Sequence, residues 1–414
     1  MNFGFVSTRF SGTDGVSLEA QKWADALEQE GHQTFWYSGL SDRPAESSHV
    51  VPEAHFEHPD IAQINESVWG DDRCSHATKE SIDRLTVKLT QSLREYQKRF
   101  QIDVLIPQNA LTIPMNLPLG LALARFIEET GIRTIAHHHD FYWERERFSG
   151  EAARPYLDRA FPPRHQSIAH VVINSAAARE LKVRFGIDAA LIPNVMNFET
   201  PPPASDTYTR NMKTDLGFTS EDLIFLQPTR VVPRKGIELA IDLVSQLENP
   251  SIKLVVSHES GDEGFSYQQH LERLAADKRV DLRFIGSRIS TSRVNTGQGE
   301  RGYTLWDLYP LADFVTYPSL YEGFGNALLE TLYFRKPALV NRYPVFIEDI
   351  EPLGFDFIAA DGTITPTIVA SVSSLLGNPE RVRKSADSNF ELARGHFGYD
   401  RVSRQLKKLI DRTG

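Results

Sequence analysis

Pro318-Ser319-Leu320-Tyr321-Glu322-Gly323-Phe324-Gly325-Asn326-Ala327-Leu328-Leu329-Glu330 follows an apolar run, Asp313-Phe314-Val315-Thr316-Tyr317, and leads into an apolar helical pattern that reaches Phe334. Strand, glycine turn and helix start is the implied local order. A glycine turn leaves backbone N–H groups unpaired where the helix begins. The positive end of the helix dipole lies there too, so the place suits a phosphate. Glu322 and Glu330 bracket it. Ionised carboxylates only accept hydrogen bonds, which matches them to polyhydroxylated groups. The stretch reads as a cradle for a nucleotide-linked sugar.

A second stretch has the same build. Thr229-Arg230-Val231-Val232-Pro233-Arg234-Lys235-Gly236 lies between an apolar run, Leu223 to Gln227, and a helical pattern, Ile237 to Leu247. Arg230 offers a planar donor fork and Lys235 a mobile point charge, a pairing suited to two adjacent phosphates. Cations near a helix start are otherwise mildly unfavourable. In this order and context, PSLYEGFGNALLE resembles the E-x7-E signature of retaining glycosyltransferases of family 4. Arg230 to Gly236 resembles that family's Arg-x4-Lys-Gly segment; Arg234 matches no position of it. The specific motifs lie mainly in residues 223–341, whereas the likeness in organisation covers most of the chain.

The resemblance implies an α/β protein of the GT-B fold, with two Rossmann-like parallel-sheet domains facing a cleft and a C-terminal helix crossing back to the first. It implies transfer of a sugar from a nucleotide-diphosphate sugar to a hydroxyl acceptor, with the anomeric configuration retained. By the same resemblance His139, Glu322, Arg230 and Lys235 form the catalytic set. Arg230 and Lys235 would hold the leaving diphosphate and Glu322 the donor-sugar hydroxyls, with Glu330 on the ribose. Gly323, Phe324 and Gly325 would add backbone contacts, and Gly286, Arg288 and Ile289 would meet the base through backbone. Gly12-Thr13-Asp14-Gly15 stands where the family has a glycine-rich loop between diphosphate and acceptor. Gly15 is carried over to the donor, and Asp14 either faces the acceptor or caps the following helix. His139 is the counterpart of a histidine near the reacting sugar. A metal at His137 and His139 is not expected, because no further ligand is suggested nearby. Nor is a tightly bound cofactor, the nucleotide sugar being a co-substrate.

Asn109 enters on other grounds: it follows the apolar run Val104–Pro107, and ligands of open α/β sheets gather at such strand ends. It is the second acceptor candidate. The run Phe141–Phe148 mixes aromatic and charged residues and either lines an acceptor pocket or packs a helix.

A chain of 414 residues is long enough for roughly two or three domains. Its composition, 41% hydrophobic and 24% charged, is that of an ordinary globular protein. A net charge of -10 argues against a nucleic-acid partner. The single cysteine, Cys74, cannot form an internal disulfide, in keeping with a reducing compartment. The amino-terminal residues Met1–Ser7 read as a first strand, without the basic region of a secretory signal. No apolar run nears the roughly 20 residues of a membrane span. A cytoplasmic location is the expectation.

Alternating strand and helix patterns argue for parallel sheets. Strands are expected at Phe3–Ser7, Gln33–Tyr37, Val104–Pro107, Thr134–His137, Val171–Asn174 and Ala190–Pro193. A second series is expected at Leu223–Gln227, Lys253–Ser257, Leu282–Gly286, Phe314–Pro318, Ala338–Asn341 and Phe355–Ile358. The triplet Pro201-Pro202-Pro203 reads as a stiff connector near the boundary. The domains expected are 1–196 with 397–414, for the acceptor, and 197–396, for the nucleotide sugar. Ser290–Gly302 reads as a surface loop. The helical stretch Ser81–Phe100 has one apolar stripe, and its Arg84, Lys88, Lys98 and Arg99 either form a solvated face or touch anionic lipid. There is no G-x-G-x-x-G and no P-loop, which removes the main warrant for a dinucleotide oxidoreductase or P-loop enzyme. Rivals are a sugar-nucleotide epimerase or phosphorylase of the same fold, and a catalytically silent sugar-nucleotide-binding protein. The acceptor class stays open among a small soluble polyol or glycoside, a lipid-linked sugar and a polysaccharide.

Overall fold

The computed structural model describes residues 1–12, 14–70, 74–259, 265–295 and 301–412. The chain divides into two compact units, Met1–Val195 with Tyr399–Gly414, and Met196–Gly398.

The first unit is built on β1 (Asn2–Val6), β2 (Gln33–Ser38), β3 (Ser48–Val50), β4 (Val104–Pro107), β5 (Arg133–His138), β6 (Ile168–Val172) and β7 (Ala189–Leu191). All neighbours pair in parallel, in the order β3-β2-β1-β4-β5-β6-β7. Parallel strands are covered on both faces, so they read as continuous apolar runs, and β4 is buried at every residue. Phe3, Phe5, Trp23, Trp36 and Ile106 pack on one face, and Leu89, Leu93, Tyr96, Leu105 and Phe126 on the other. The C-terminal helix Tyr399–Arg412 belongs to this unit and buries Val402, Leu406, Leu409 and Ile410 in the first of those clusters. Each such aliphatic side chain stabilises by about 1.5–3 kcal/mol. That burial is what returns the end of the chain to the unit in which it began.

In the second unit β8 (Leu223–Gln227), β9 (Ile252–Val256), β10 (Asp281–Phe284), β11 (Phe314–Tyr317), β12 (Ala338–Asn341) and β13 (Ile358–Ala360) form a parallel sheet ordered β10-β9-β8-β11-β12-β13. Both sheets therefore reverse strand order beside their first strand. At such a switch point, loops leaving the carboxyl ends diverge and open a crevice. The loops after β1 and β4 meet that description in one unit, with the loop after β5 next to them, and those after β8 and β11 meet it in the other.

Several expectations need correction. The strand expected at Val171–Asn174 is Ile168–Val172, because Asn174 instead caps the helix Ser175–Phe185 by accepting from the Ala177 N–H at 2.8 Å. The strand expected at Phe355–Ile358 is Ile358–Ala360; Phe355 stacks on Phe357 and Phe397, so its apolar character serves packing and not a ladder. β3 went unread because Ser48-His49-Val50 is short and mostly polar. Within Ser290–Gly302, residues 296–300 lie outside the described residues. The flanks pair as a short antiparallel hairpin, Val294↔Gly302 and Asn295↔Arg301, tied down by Arg293 on Asp307 and Asp206.

The stripe of Ser81–Phe100 lies within the helix His76–Phe100. Ile82, Leu85, Leu89, Leu93, Tyr96 and Phe100 are all buried in the unit's core. Of its basic residues, Lys88 pairs with Glu53 at 2.6 Å and Arg84 with Asp60 at 3.6 Å, while Arg99 donates to the Ser48 carbonyl. The apolar stripe of this helix is therefore buried within its own unit. Among the described residues no helix is long and apolar enough to cross a membrane.

Candidate active site

In the second unit two loops are docked on each other. The loop after β8 ends in a short turn, Pro233–Lys235, followed by Gly236 at φ +58. A Cβ on Gly236 would strike the Pro318 carbonyl oxygen, in the loop after β11. The Leu320 N–H donates to the Arg234 carbonyl at 2.8 Å, and the Arg234 guanidinium donates to the Tyr321 carbonyl at 3.2 Å. Gly236→Ala should separate these loops, since it adds left-handed strain to a backbone collision. We expect a loss of about 1–3 kcal/mol, read as a lower unfolding midpoint, together with weakened nucleotide binding.

What the docking assembles is an ion cluster. Lys235 Nζ bonds Glu322 Oε1, and Arg234 Nη1 lies 3.3 Å from Glu322 Oε2. Lys235 is only 8% exposed and Glu322 7%. Burial by itself would raise the Glu322 carboxyl, but Lys235 and Arg234 outweigh it and hold the group below its usual range. Burial lowers the Lys235 ammonium, partly offset by Glu322, and the nearby Arg234 and Arg230 lower it further. Arg230 itself is exposed. Arg234 matches no motif position, and no motif reaches His258. His258 follows β9, hydrogen-bonds Ser257 Oγ through Nδ1 at 2.9 Å, and is pushed down to about 4 by burial and then by Lys235 and Arg230. The strand-edge argument that found Asn109 would have found it too.

After Glu322 the chain passes Gly323 and Phe324 to Gly325, at φ +123, and enters the helix Asn326–Tyr333. A Cβ on Gly325 would sit 2.5 Å from Tyr317 Oη, so only glycine fits. Tyr343 Oη donates to the Phe324 carbonyl at 2.7 Å, fixing the turn from the side of β12. Glu330 lies further along this helix, where Tyr309 Oη donates to it at 3.0 Å and Trp306 Nε1 at 3.4 Å. Gly286 and Arg288 form a separate turn after β10 that Ile289 ends. Gly286 packs directly on the backbone of His258 and Glu259. The Arg288 guanidinium donates to the carbonyls of Arg301 and Asp215.

In the first unit the loop after β1 includes Thr13, which lies outside the described residues. Asp14 caps the helix Gly15–Gln29: its Oδ1 accepts from the Val16 and Ser17 N–H groups at 3.1 Å, and its Oδ2 accepts from Ser17 Oγ at 2.6 Å. Gly15 is the first residue of that helix. Asn109, at φ +57, ties the loop after β4 to that after β5. It accepts from the His139 N–H at 2.7 Å and donates to Asp140 Oδ1 at 2.6 Å. Arg145 completes the group on the other Asp140 oxygen. His139 Nε2 lies 3.0 Å from Gln108 Oε1. Burial pushes His139 down to about 4, against the pull of Asp140 and Asp14, so its imidazole is neutral near pH 7.

Behind it, His137 stacks on Trp23 with ring centroids 4.0 Å apart, and His138 Nε2 meets His170 Nδ1 at 2.9 Å. Among the described residues no group of three or more His, Cys, Asp or Glu is placed to hold a metal ion. Phe141 and Phe148 are buried, and Phe141 stacks on Trp143, so this run packs the unit.

Two parallel α/β units, with clustered cations and acids at the strand-end loops of the second, define the class as a GT-B glycosyltransferase. The family described as Glycosyl transferases group 1 matches residues 209–388. The mannosylglucosylglycerate synthase of Thermotoga maritima is 32% identical over 447 aligned residues, covering 99% of this chain and 100% of that protein. The protein of the same name from Petrotoga mobilis is 32% identical over 431, covering 99% and 97%. Among solved structures, Anabaena Alr3699/HepE in complex with UDP and glucose superposes with a TM-score of 0.68 at 14% identity, over 99% of each chain. The chain belongs to the group 1 glycosyltransferases, and it is an enzyme that transfers a sugar to a hydroxyl acceptor.

Proposed function

We propose that the enzyme takes its sugar from a nucleotide-diphosphate sugar, retains the anomeric configuration, and delivers it to a small glycoside that carries a carboxylate. The observation that carries the donor half is the cluster of Lys235, Arg234 and Glu322 with Arg230 beside it, next to the helix start at Gly325. Preorganised cations and N–H groups are what a departing diphosphate requires. Lys235 and Arg230 hold the phosphates and Glu322 accepts from the donor-sugar hydroxyls. Glu330 takes the ribose, and the Gly286–Ile289 backbone the base. The acceptor half draws on the relatives' name, mannosylglucosylglycerate synthase, whose product is a mannosyl unit on a glucosylglycerate.

In the reaction the bond from the anomeric carbon to the diphosphate oxygen breaks, and a bond to the acceptor oxygen forms on the same face. The acceptor proton passes to a phosphate oxygen. No enzyme carboxylate is needed as nucleophile. In the first unit, neutral His139 contributes a hydrogen bond and not a charge, Asn109 orients it, and Asp14 and Gly15 shape the loop beside it.

The test is a thermal-shift screen of UDP-, GDP- and ADP-linked glucose and mannose, since a ligand that binds only the native state raises its midpoint. Transfer to glucosylglycerate is then followed by NMR of the anomeric proton. A product of unchanged configuration, formed only with acceptor present, supports the reading. An acceptor-free epimer, a requirement for inorganic phosphate, or binding without turnover on any acceptor would overturn it.

A further inference from the structure

Glu322 carries two cations on separate oxygens, and they differ in kind. Lys235, on Oε1, is the inner one and is buried. Arg234, on Oε2, is the outer one: its side chain is 40% exposed and also donates to the Tyr321 carbonyl, one residue before Glu322. The Arg234 carbonyl in turn accepts from the Leu320 N–H. Arg234 thus holds the loop after β11 through both its backbone and its side chain. The proposed donor site, on which this inference rests, asks Lys235 to face a diphosphate. When it does, Glu322 loses its inner partner while staying buried, and a buried carboxylate is not left ionised without a cation.

We infer that Arg234 is a positioning residue: it keeps Glu322 ionised and aimed at the donor sugar once Lys235 has turned to the diphosphate. A planar fork suits this role, since one guanidinium reaches a main-chain carbonyl and the carboxylate together. Lysine at this position would satisfy one of them at a time. Arg234 touches neither phosphate nor sugar in this scheme, so binding and turnover should part company when it is removed.

The experiment compares Arg234→Gln, Arg234→Lys and Lys235→Met in the full chain. Affinity for UDP, GDP and ADP is measured by calorimetry, and kcat and KM by transfer assay. For Arg234→Gln we expect nucleoside diphosphate affinity to stay within about fivefold, since a partly exposed ion pair at this edge contributes little. Its kcat should fall about 10- to 100-fold, the scale of a misplaced catalytic group, and Arg234→Lys should recover part of that loss. Lys235→Met should weaken nucleoside diphosphate binding at least tenfold.

If Arg234→Gln weakens diphosphate binding as much as it lowers kcat, Arg234 is itself a phosphate ligand and the inference is wrong. It is equally wrong if neither quantity moves. Both of those results leave the donor site standing, provided Lys235→Met behaves as stated. Unchanged diphosphate binding in Lys235→Met would remove the donor site and this inference together.

Discussion

Glu322→Gln should lower transfer by about 10²- to 10³-fold, the loss typical of removing one preorganised partner of the transition state, and yet bind the nucleoside diphosphate more tightly than the wild type. The second half of this expectation follows from the ion cluster. Before the donor arrives, Glu322 is the anion that satisfies Lys235, and a diphosphate must displace it. Glutamine keeps the shape and removes the competing charge. The free variant should pay for this in stability, because an uncompensated buried ammonium costs about 3–5 kcal/mol. Bound diphosphate then restores an anion to Lys235, so the midpoint rise on adding nucleotide should exceed that of the wild type. Calorimetry and melting curves, with and without UDP, GDP or ADP, check both signs. Near-normal turnover in Glu322→Gln would mean that the carboxylate does not act on the sugar. Weaker nucleotide binding would mean that Lys235 and Glu322 do not compete.

How much of this can be read from the chain depends on the range of the interaction. The strands Val104–Pro107, Leu223–Gln227 and Ala338–Asn341 fall on the residues their apolar runs indicate, because a parallel strand buried on both faces leaves an uninterrupted signature. β3 and β13 do not, since a short edge strand is defined by the neighbour it pairs with. The same limit governs the site. Glu322 and Lys235 are named by local strand–loop–helix patterns, but the Arg234 side chain acquires its role from a carboxylate 88 residues away. Spacing within Thr229–Gly236 carries no trace of that. Asn109 can be placed at a strand end from sequence. Its left-handed backbone and its bonds to His139 and Asp140 arise from the loop after β5, 31 residues on. Asp14 shows the converse, a site candidate whose oxygens are already engaged by the helix it begins.

Acidification should unfold the first unit well before ordinary carboxylate titration would. His139 and His170 are pushed down to about 4, in each case chiefly by burial, and His137 and His138 also lie well below the ordinary value of 6.5 for the same reason. With folded values depressed, the unfolded chain binds protons that the folded unit refuses. Stability is therefore intact above about pH 6.5 and is lost as pH falls toward the folded values. The loss is about 1.4 kcal/mol per pH unit for each histidine. His139 and His170 alone remove on the order of 5 kcal/mol between pH 6.5 and 4.5, comparable with the whole stability of many domains.

Glu19, Asp25 and Glu144 act the other way: burial raises all three carboxyls, Glu144 to about 7 with help from Asp140. Each returns stability as pH falls from its raised value toward its ordinary one, so they offset part of the histidine loss. Circular dichroism of the full chain, titrated from pH 7.5 to 4, should show loss of tertiary signal with a midpoint between about pH 4.5 and 5.5. His170→Gln removes one titrating ring while leaving a side chain able to hydrogen-bond His138, and should move that midpoint toward acid. A flat titration to pH 4, or a His170→Gln midpoint that does not move, would show that these imidazoles take up protons in the folded state.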